Sequence, residues 1–453
     1  MEKKDNSFSR RKFLGNAALG TIAAVGASQL LSSCRSDGAV YTREVDLPPL
    51  RDQAPDGEPI RAGLIGSGGR GSGAARQFIN AGPNLEFVTI GDVFPDRVDK
   101  CRKQIKDETG VEVPDDKCFT GLDAYKRVLE QDINYVILAT PPYFRPEHFQ
   151  AAVEARMHVF MEKPVAVDPV GVRSIMASAK QAEAAGLCVV TGTQRHHQRD
   201  YVEIFRRVAG EGAIGKIVAA NAYWNMGKLW HTPREEGWTD MEAMLRDWVN
   251  WTWLSGDHIV EQHIHNIDVI NWFMGKFPVR AVGFGSRHRR PTGDQYDNFS
   301  VDFVYDEEEH MHSMCRQING CANSVSEYIR GTQGYTNCKD TIWNTDGTMQ
   351  YKYDYGMDES GEPLTGLKVG PYDQEHIDLV TAIRTGEYVN EAEFTAKSNL
   401  TAIMGRISAY TGKMVTWDEM MSSDLKIGPE TMAMGPVDLE AIIPIPGEAP
   451  PED

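Results

Sequence analysis

Ile60-Arg61-Ala62-Gly63-Leu64-Ile65 runs without a break into Gly66-Ser67-Gly68-Gly69-Arg70-Gly71, and then into a helical stretch from Ala74 to Asn80. A short apolar run ending in GxGxxG and opening a helix is the context in which this glycine spacing binds a dinucleotide. Gly66 makes the tight turn, Gly68 lets the backbone approach a pyrophosphate, and Gly71 permits close helix–strand packing. Unpaired N–H groups at the helix start then face the phosphates, with Arg70 beside them. The next strand, Glu86-Phe87-Val88-Thr89-Ile90, ends at Gly91-Asp92. Asp92 stands where an acid binds the adenosine ribose hydroxyls, and its charge repels a 2′-phosphate, so the spacing predicts NAD rather than NADP.

Working outward, strands are expected at Tyr135–Ala139, His158–Met161 and Leu187–Val190, with a helix over Val172–Ala185. Strands alternating with helices predict an α/β Rossmann domain over residues 60–194. Beyond it, Lys216–Trp224, Val279–Ser286, Asn298–Tyr305, His310–Arg316 and Asn323–Ile329 read as longer strands broken by polar turns. They predict an α+β domain, residues 195–435, built on a large, mostly antiparallel open sheet. Helices are expected near Gln374–Arg384 and Glu391–Thr411, and residues 436–453 read as a Pro-rich surface tail.

The first 34 residues read as an address. Ser9-Arg10-Arg11-Lys12-Phe13-Leu14 precedes an apolar, small-residue stretch that closes on Leu31-Ser32-Ser33-Cys34. Twin arginines before such a stretch resemble a twin-arginine export signal. The ending resembles a lipobox, which predicts a lipid anchor on Cys34 and a periplasmic, membrane-anchored protein. Residues 35–59, with four prolines and mixed charge, read as a tether.

The net charge of −18 becomes −21 without residues 1–33, which hold five basic and two acidic side chains. Such a surface repels phosphate backbones and argues against a nucleic-acid partner. The six cysteines after Cys34 show no CxxC pair, so free thiols are expected over a disulfide framework.

The run Thr140-Pro141-Pro142-Tyr143, His148, then His158-Val159-Phe160-Met161-Glu162-Lys163-Pro164 resembles the Gfo/Idh/MocA oxidoreductases. By that resemblance Thr140, Pro141 and His148 border the cofactor, Glu162 holds the nicotinamide ribose, and Lys163 lies between nicotinamide and substrate hydroxyl. The resemblance continues in Gly256-Asp257-His258-Ile259-Val260-Glu261-Gln262-His263-Ile264-His265-Asn266-Ile267-Asp268. Glu261, His265 and Asp268 share one face of an expected helix. Family members carry an Asp and, four residues on, a His or Tyr that exchanges the substrate proton. That puts Glu261 at the Asp position, one methylene longer, and His265 at the general-base position. Imidazole suits proton exchange near neutrality. Tyr143, Arg195, Trp224, Asn225 and Trp230 are candidate sugar contacts. His258, Glu261 and His265 also share a face with metal-like chemistry, but Glu261 and His265 have roles without a metal, and no metal is expected.

The resemblance implies an oxidoreductase acting on a sugar, glycoside or polyol hydroxyl, with NAD held tightly, and a homo-oligomer built on the open sheet. An alternative uses the same residues: a glycoside hydrolase that oxidises ring carbon-3 only transiently and expels the aglycone by elimination.

Overall fold

The computed structural model describes residues 41–358, 360–439 and 441–447; the export signal and lipobox lie outside them. Two sheets organise these residues. The first follows the order β3-β2-β1-β4-β5-β6 with every pair parallel. Its strands are β1 (Ile60–Ile65), β2 (Leu85–Asp92), β3 (Cys118–Thr120), β4 (Tyr135–Leu138), β5 (His158–Met161) and β6 (Val189–Thr191). Helices α1 (Gly69–Asn80), α2 (Pro95–Thr109), α3 (Ala124–Leu129), α4 (Arg145–Glu154) and α5 (Pro169–Ala184) connect them. Helices cover both faces, so β4 is buried along its whole length and reads as the unbroken apolar run Tyr-Val-Ile-Leu. The strand order reverses between β1 and β4, which opens a crevice at the carboxyl ends of those strands.

After α6 (Arg199–Phe205) the chain enters a nine-stranded sheet of order β14-β13-β12-β11-β7-β10-β9-β8-β15. Its strands are β7 (Ile217–Met226), β8 (Arg280–Ser286), β9 (Asn298–Val304), β10 (His310–Gln317), β11 (Ser324–Gly331), β12 (Gly334–Thr336), β13 (Thr341–Asn344), β14 (Met349–Lys352) and β15 (Val415–Thr416). Only β7 and β10 run parallel. In β10, Met311, Ser313 and Cys315 are buried while His310, His312 and Met314 are exposed, the alternation of a sheet covered on one face.

Between β7 and β8 lie α7 (Asp240–Arg246), α8 (Thr252–Ser255), α9 (His258–Glu261) and α10 (Ile264–Met274). Helices α11 (Pro371–Thr385), α12 (Ala392–Thr411) and α13 (Trp417–Ser422) follow the sheet. The buried α12 packs on α5 of the first domain and on β8 and α10 of the second. One apolar core runs through from Val159 and Val172 to Ile264, Phe303 and Leu400.

Two expectations need correction. The expected tether is docked from residue 41 onward. Arg43 N donates to the Ala209 carbonyl at 2.9 Å, Ala54 N to that of Ala81 at 2.8 Å, and Asp52 pairs with Arg199 at 2.8 Å. Leu47 and Leu50 supply the apolar contacts that composition alone concealed. The described part of the tail lies at the surface and is tied there by Tyr296 Oη, which donates to the Pro444 carbonyl at 2.7 Å. Finally, the single helix expected through His258–Asp268 is broken after Glu261. The six cysteines after Cys34 are all unpaired thiols.

Candidate active site

The turn after β1 requires its glycines. Gly66 has φ +94°, and a Cβ there would sit 2.5 Å from Thr140 N; on Gly71 it would sit 1.9 Å from the Gly66 carbonyl oxygen. At Gly68 a Cβ would meet nothing within 4 Å, so the backbone is open to the crevice. Gly68 caps α1 without a side-chain acceptor, and no acid occupies its first turn. The first N–H groups are left for an anion. These features fit the pyrophosphate of a dinucleotide.

A cleft of about 540 Å³ runs past this turn, lined by Gly66, Gly68, Arg70, Gly71, Asp92, Thr140, Pro141 and His148. Asp92 accepts from Ser67 N at 2.7 Å and Phe94 N at 3.0 Å, which fixes its carboxylate at the end of β2. His148 Nδ1 lies 3.2 Å from Thr140 Oγ1. Burial, with Arg145 adjacent, lowers this imidazole to about 3, so it is neutral. Glu162 is buried against Arg70, whose Nε lies 2.5 Å from Glu162 Oε1. Arg70 is also bonded to Gln77 and Glu375, and its guanidinium lies 4.7 Å from the Tyr372 ring centroid.

Lys163 leaves the first domain and reaches the second. Its Nζ donates to the Glu261 carbonyl at 2.5 Å and to Glu261 Oε1 at 3.1 Å. The break after α9 makes this possible. In a continuous helix the Glu261 carbonyl would accept from His265 N; here His265 N bonds to Gln262 O at 3.3 Å instead. The freed carbonyl takes the ammonium. Asp257 stabilises the other end of α9, accepting from His258 N at 2.5 Å and from Tyr296 N at 2.9 Å.

His265 opens α10 and stacks on Trp224, ring centroids 5.5 Å apart. Burial holds its pKa well below the ordinary histidine value, and the positive charges of Lys163, Arg195 and Arg70 push the same way. Arg195 is anchored by Glu327 at 2.9 Å, and Glu327 in turn accepts from Tyr201 Oη at 2.9 Å and Asn266 Nδ2 at 2.6 Å. Lys163 bonded to Glu261, and His265 stacked on Trp224 and flanked by the charges of Lys163 and Arg195, therefore bring these five side chains together.

Other candidates fall elsewhere. Asn225 follows Trp224 in β7 and so points to the opposite face of the sheet. Tyr143 is packed edge-on against Trp253 at 4.9 Å and Phe144 at 5.3 Å, an aromatic cluster rather than a sugar platform. Trp230 lines the dinucleotide cleft. Asp268, expected on the Glu261–His265 face, pairs with His196 at 2.6 Å. His258 Nδ1 is engaged by Asp257 at 3.0 Å. Tyr372 and Glu375, at the start of α11, went unread; nothing in Gly-Pro-Tyr-Asp-Gln-Glu marks them beyond a helix start.

Residues 60–193 match the oxidoreductase family with an NAD-binding Rossmann fold, GFO_IDH_MocA, and residues 202–336 match the GFO/IDH/MocA C-terminal domain. The chain belongs to the Gfo/Idh/MocA family. Among Gfo/Idh/MocA relatives, the 2,7-anhydro-N-acetylneuraminate hydratase of Escherichia coli (strain K12) is 27% identical over 51% of this chain and 55% of its own length. The scyllo-inositol 2-dehydrogenase (NAD(+)) of Bacillus subtilis (strain 168) is 22% identical over 54% and 63%. The chain thus spans 55% and 63% of the length of these two curated relatives. The crystal structure of scyllo-inositol dehydrogenase from Lactobacillus casei with bound NAD(H) and scyllo-inositol shares the fold, with TM-score 0.57 and 19% identity over 79% of this chain and 99% of that one.

Proposed function

We propose that this protein is an NAD-dependent oxidoreductase acting on a hydroxyl of a sugar, glycoside or polyol, with the nucleotide held tightly. The observation that carries the reading is the convergence of Lys163, from the dinucleotide domain, with Glu261 and His265, from the second domain. When bound, NAD⁺ supplies the hydride acceptor. The chain's own residues do the rest. Arg195, fixed by Glu327, and the Trp224 ring orient a polar, C–H-faced substrate. Lys163, fixed by Glu261, donates a hydrogen bond to the reacting oxygen. His265, neutral because it is buried beside cations, takes the hydroxyl proton as the carbonyl forms. Asp92 favours NAD over NADP.

The residues also support the second reading, a glycoside hydrolase with transient oxidation at ring carbon-3. A base beside a newly formed carbonyl can take the acidified neighbouring proton, and one matched relative is named a hydratase rather than a dehydrogenase. Export through the twin-arginine route, a lipid on Cys34 and a periplasmic location complete the proposal. No ready pool of NAD exists there, so the redox cycle must close on the protein itself. We place a homo-oligomer contact on the outer face of the nine-stranded sheet, where Val282, Phe284, Met314 and Tyr328 are exposed.

Purified protein, with no nucleotide added, should be offered free sugars and aryl glycosides separately. A keto-sugar from the free sugar supports oxidation; release of the aryl group supports the hydrolase. Neither product, from protein that carries NAD, would sink both readings, and NADP as the nucleotide freed on denaturation would sink the Asp92 argument.

A further inference from the structure

One wall of the dinucleotide cleft does not come from the dinucleotide domain. Trp230, Thr232, Leu245, Arg246 and Trp248 line the same cleft as Gly66, Gly68 and Asp92. All five follow β7, so a piece of the second domain is laid against the first. It lies at the adenosine end, since the cleft lining there continues from Asp92 through Val93 and Phe94 to Arg97.

Two contacts hold the wall shut. Helix α7 buries Met241, Met244 and Leu245 in one apolar cluster with Phe94 and Phe144 of the first domain. Arg246 then grips Asp96, in the first turn of α2, through two hydrogen bonds of 2.9 and 3.1 Å. Its guanidinium lies 3.9 Å from the Phe94 ring centroid and 5.0 Å from that of Trp238. An exposed ion pair contributes little by itself, but this guanidinium is only 14% exposed and stacked on aromatic rings, which strengthens it. By contrast, residues 227–238 have no helix or strand and hang on a few bonds, chiefly Thr232 N to Asp247 Oδ1 at 2.8 Å.

We propose that residues 228–248 are a latch that binds the adenosine half of the dinucleotide and retains it between turnovers. The proposal rests on the NAD reading above and adds the residues that make NAD a resident group. Trp230, Trp248 and Leu245 offer aromatic and apolar surface to a flat purine. The pyrophosphate lies on the α1 side, and the nucleotide leaves only when the Arg246–Asp96 grip opens.

The test uses the full chain as purified, with Asp96→Asn, Arg246→Ala, the double variant and Trp230→Ala. Bound nucleotide is counted after prolonged dialysis, and its exchange is timed against labelled NAD⁺. Wild type should keep close to one NAD per chain. Each single variant should speed exchange by about tenfold or more, and the double variant should be no faster than the worse single one, since both remove one contact. Asp96 is 59% exposed in its side chain, so Asp96→Asn should fold even where Arg246→Ala does not. Wild type that keeps NAD while folded variants exchange at its rate overturns the latch and leaves the NAD reading standing. Wild type that binds added NAD⁺ in rapid exchange also overturns the latch. Wild type that neither carries nor takes up NAD overturns the underlying reading.

Discussion

His265 combines two properties that pull against each other in water. A base must accept a proton and yet be deprotonated at the working pH; the cations Lys163 and Arg195 serve the second need by discouraging protonation. Burial adds to the same effect, so the neutral form persists well below the ordinary histidine pKa of about 6.5. The sign is fixed: a lowered pKa extends the active, neutral form towards acid. The acid limb of a kcat/KM profile should therefore lie below pH 6.5, and a limb at or above that value would contradict the buried, cation-flanked imidazole. His265→Ala should reduce turnover by roughly 10²–10⁴ with NAD retained, the usual worth of a positioned acid–base group. Lys163→Ala should cripple turnover too, but with some loosening of NAD, because the proposed function sets Lys163 and its neighbour Glu162 at the nicotinamide end. Near-normal activity in His265→Ala would make this cluster structural.

Among the elements, α12 sets the distance between the two halves of that site. Asn399 accepts from Val165 N at 2.9 Å and donates to the Ala166 carbonyl at 2.9 Å, just after Lys163-Pro164. One helical stretch later, buried Arg406 donates to the Val167 carbonyl at 2.9 Å and the Gly256 carbonyl at 2.8 Å. A single helix thus grips both the loop that carries Lys163 and the turn that leads into α9. Arg406→Met should cost about 1–3 kcal/mol of stability, because the buried carbonyls lose their donors. It should also lower kcat more than it raises KM, since register rather than substrate contact is lost. Denaturant unfolding and steady-state kinetics check the two halves, and unchanged kcat in a folded variant would refute the ruler role.

Elements of this kind mark the limit of what the chain discloses by inspection. The glycine turn and Asp92 were legible because close approach to a dinucleotide restricts residue type at short spacing, whereas Glu162, Lys163 and His265 stood out only through the resemblance to the Gfo/Idh/MocA oxidoreductases. Strands β1 and β5 fell within their expected bounds, since burial on both faces leaves each of them apolar but for one half-buried residue, Arg61 and His158. The break after Glu261 was not legible: no Gly or Pro interrupts the helical pattern, and the lysine that takes the freed carbonyl lies 98 residues away. Arg246, Arg406 and Tyr372 were missed for the same reason, their partners being distant in sequence. Asn225 was misjudged because a sheet's two faces alternate, so two neighbours in β7 cannot both face one site.

For the whole molecule, the proposed export route has its own test. Replacing Arg10 and Arg11 by Lys should strand the protein in the cytoplasm, and Cys34→Ala should release it from the membrane fraction; unchanged membrane binding would exclude the anchor. Within the described residues the segment ahead of β1 is docked from its first one, Tyr41, which would give the proposed anchor a length. Were residues 41–59 a free tether, the body could roam far from the bilayer. Because Arg43 and Ala54 are hydrogen-bonded to the body, only the six residues between Cys34 and Tyr41 would separate a lipid on Cys34 from the protein. Fully extended, the span from Cys34 to Tyr41 reaches about 25 Å. Repulsion between an acidic body and anionic lipid is screened beyond about 8 Å at physiological salt, so it does not fill that gap. On this proposal the enzyme would work close to the membrane, meeting glycans and sugars only as they pass near it. Energy transfer from a donor near Tyr41 to acceptor lipids should report a separation within that reach.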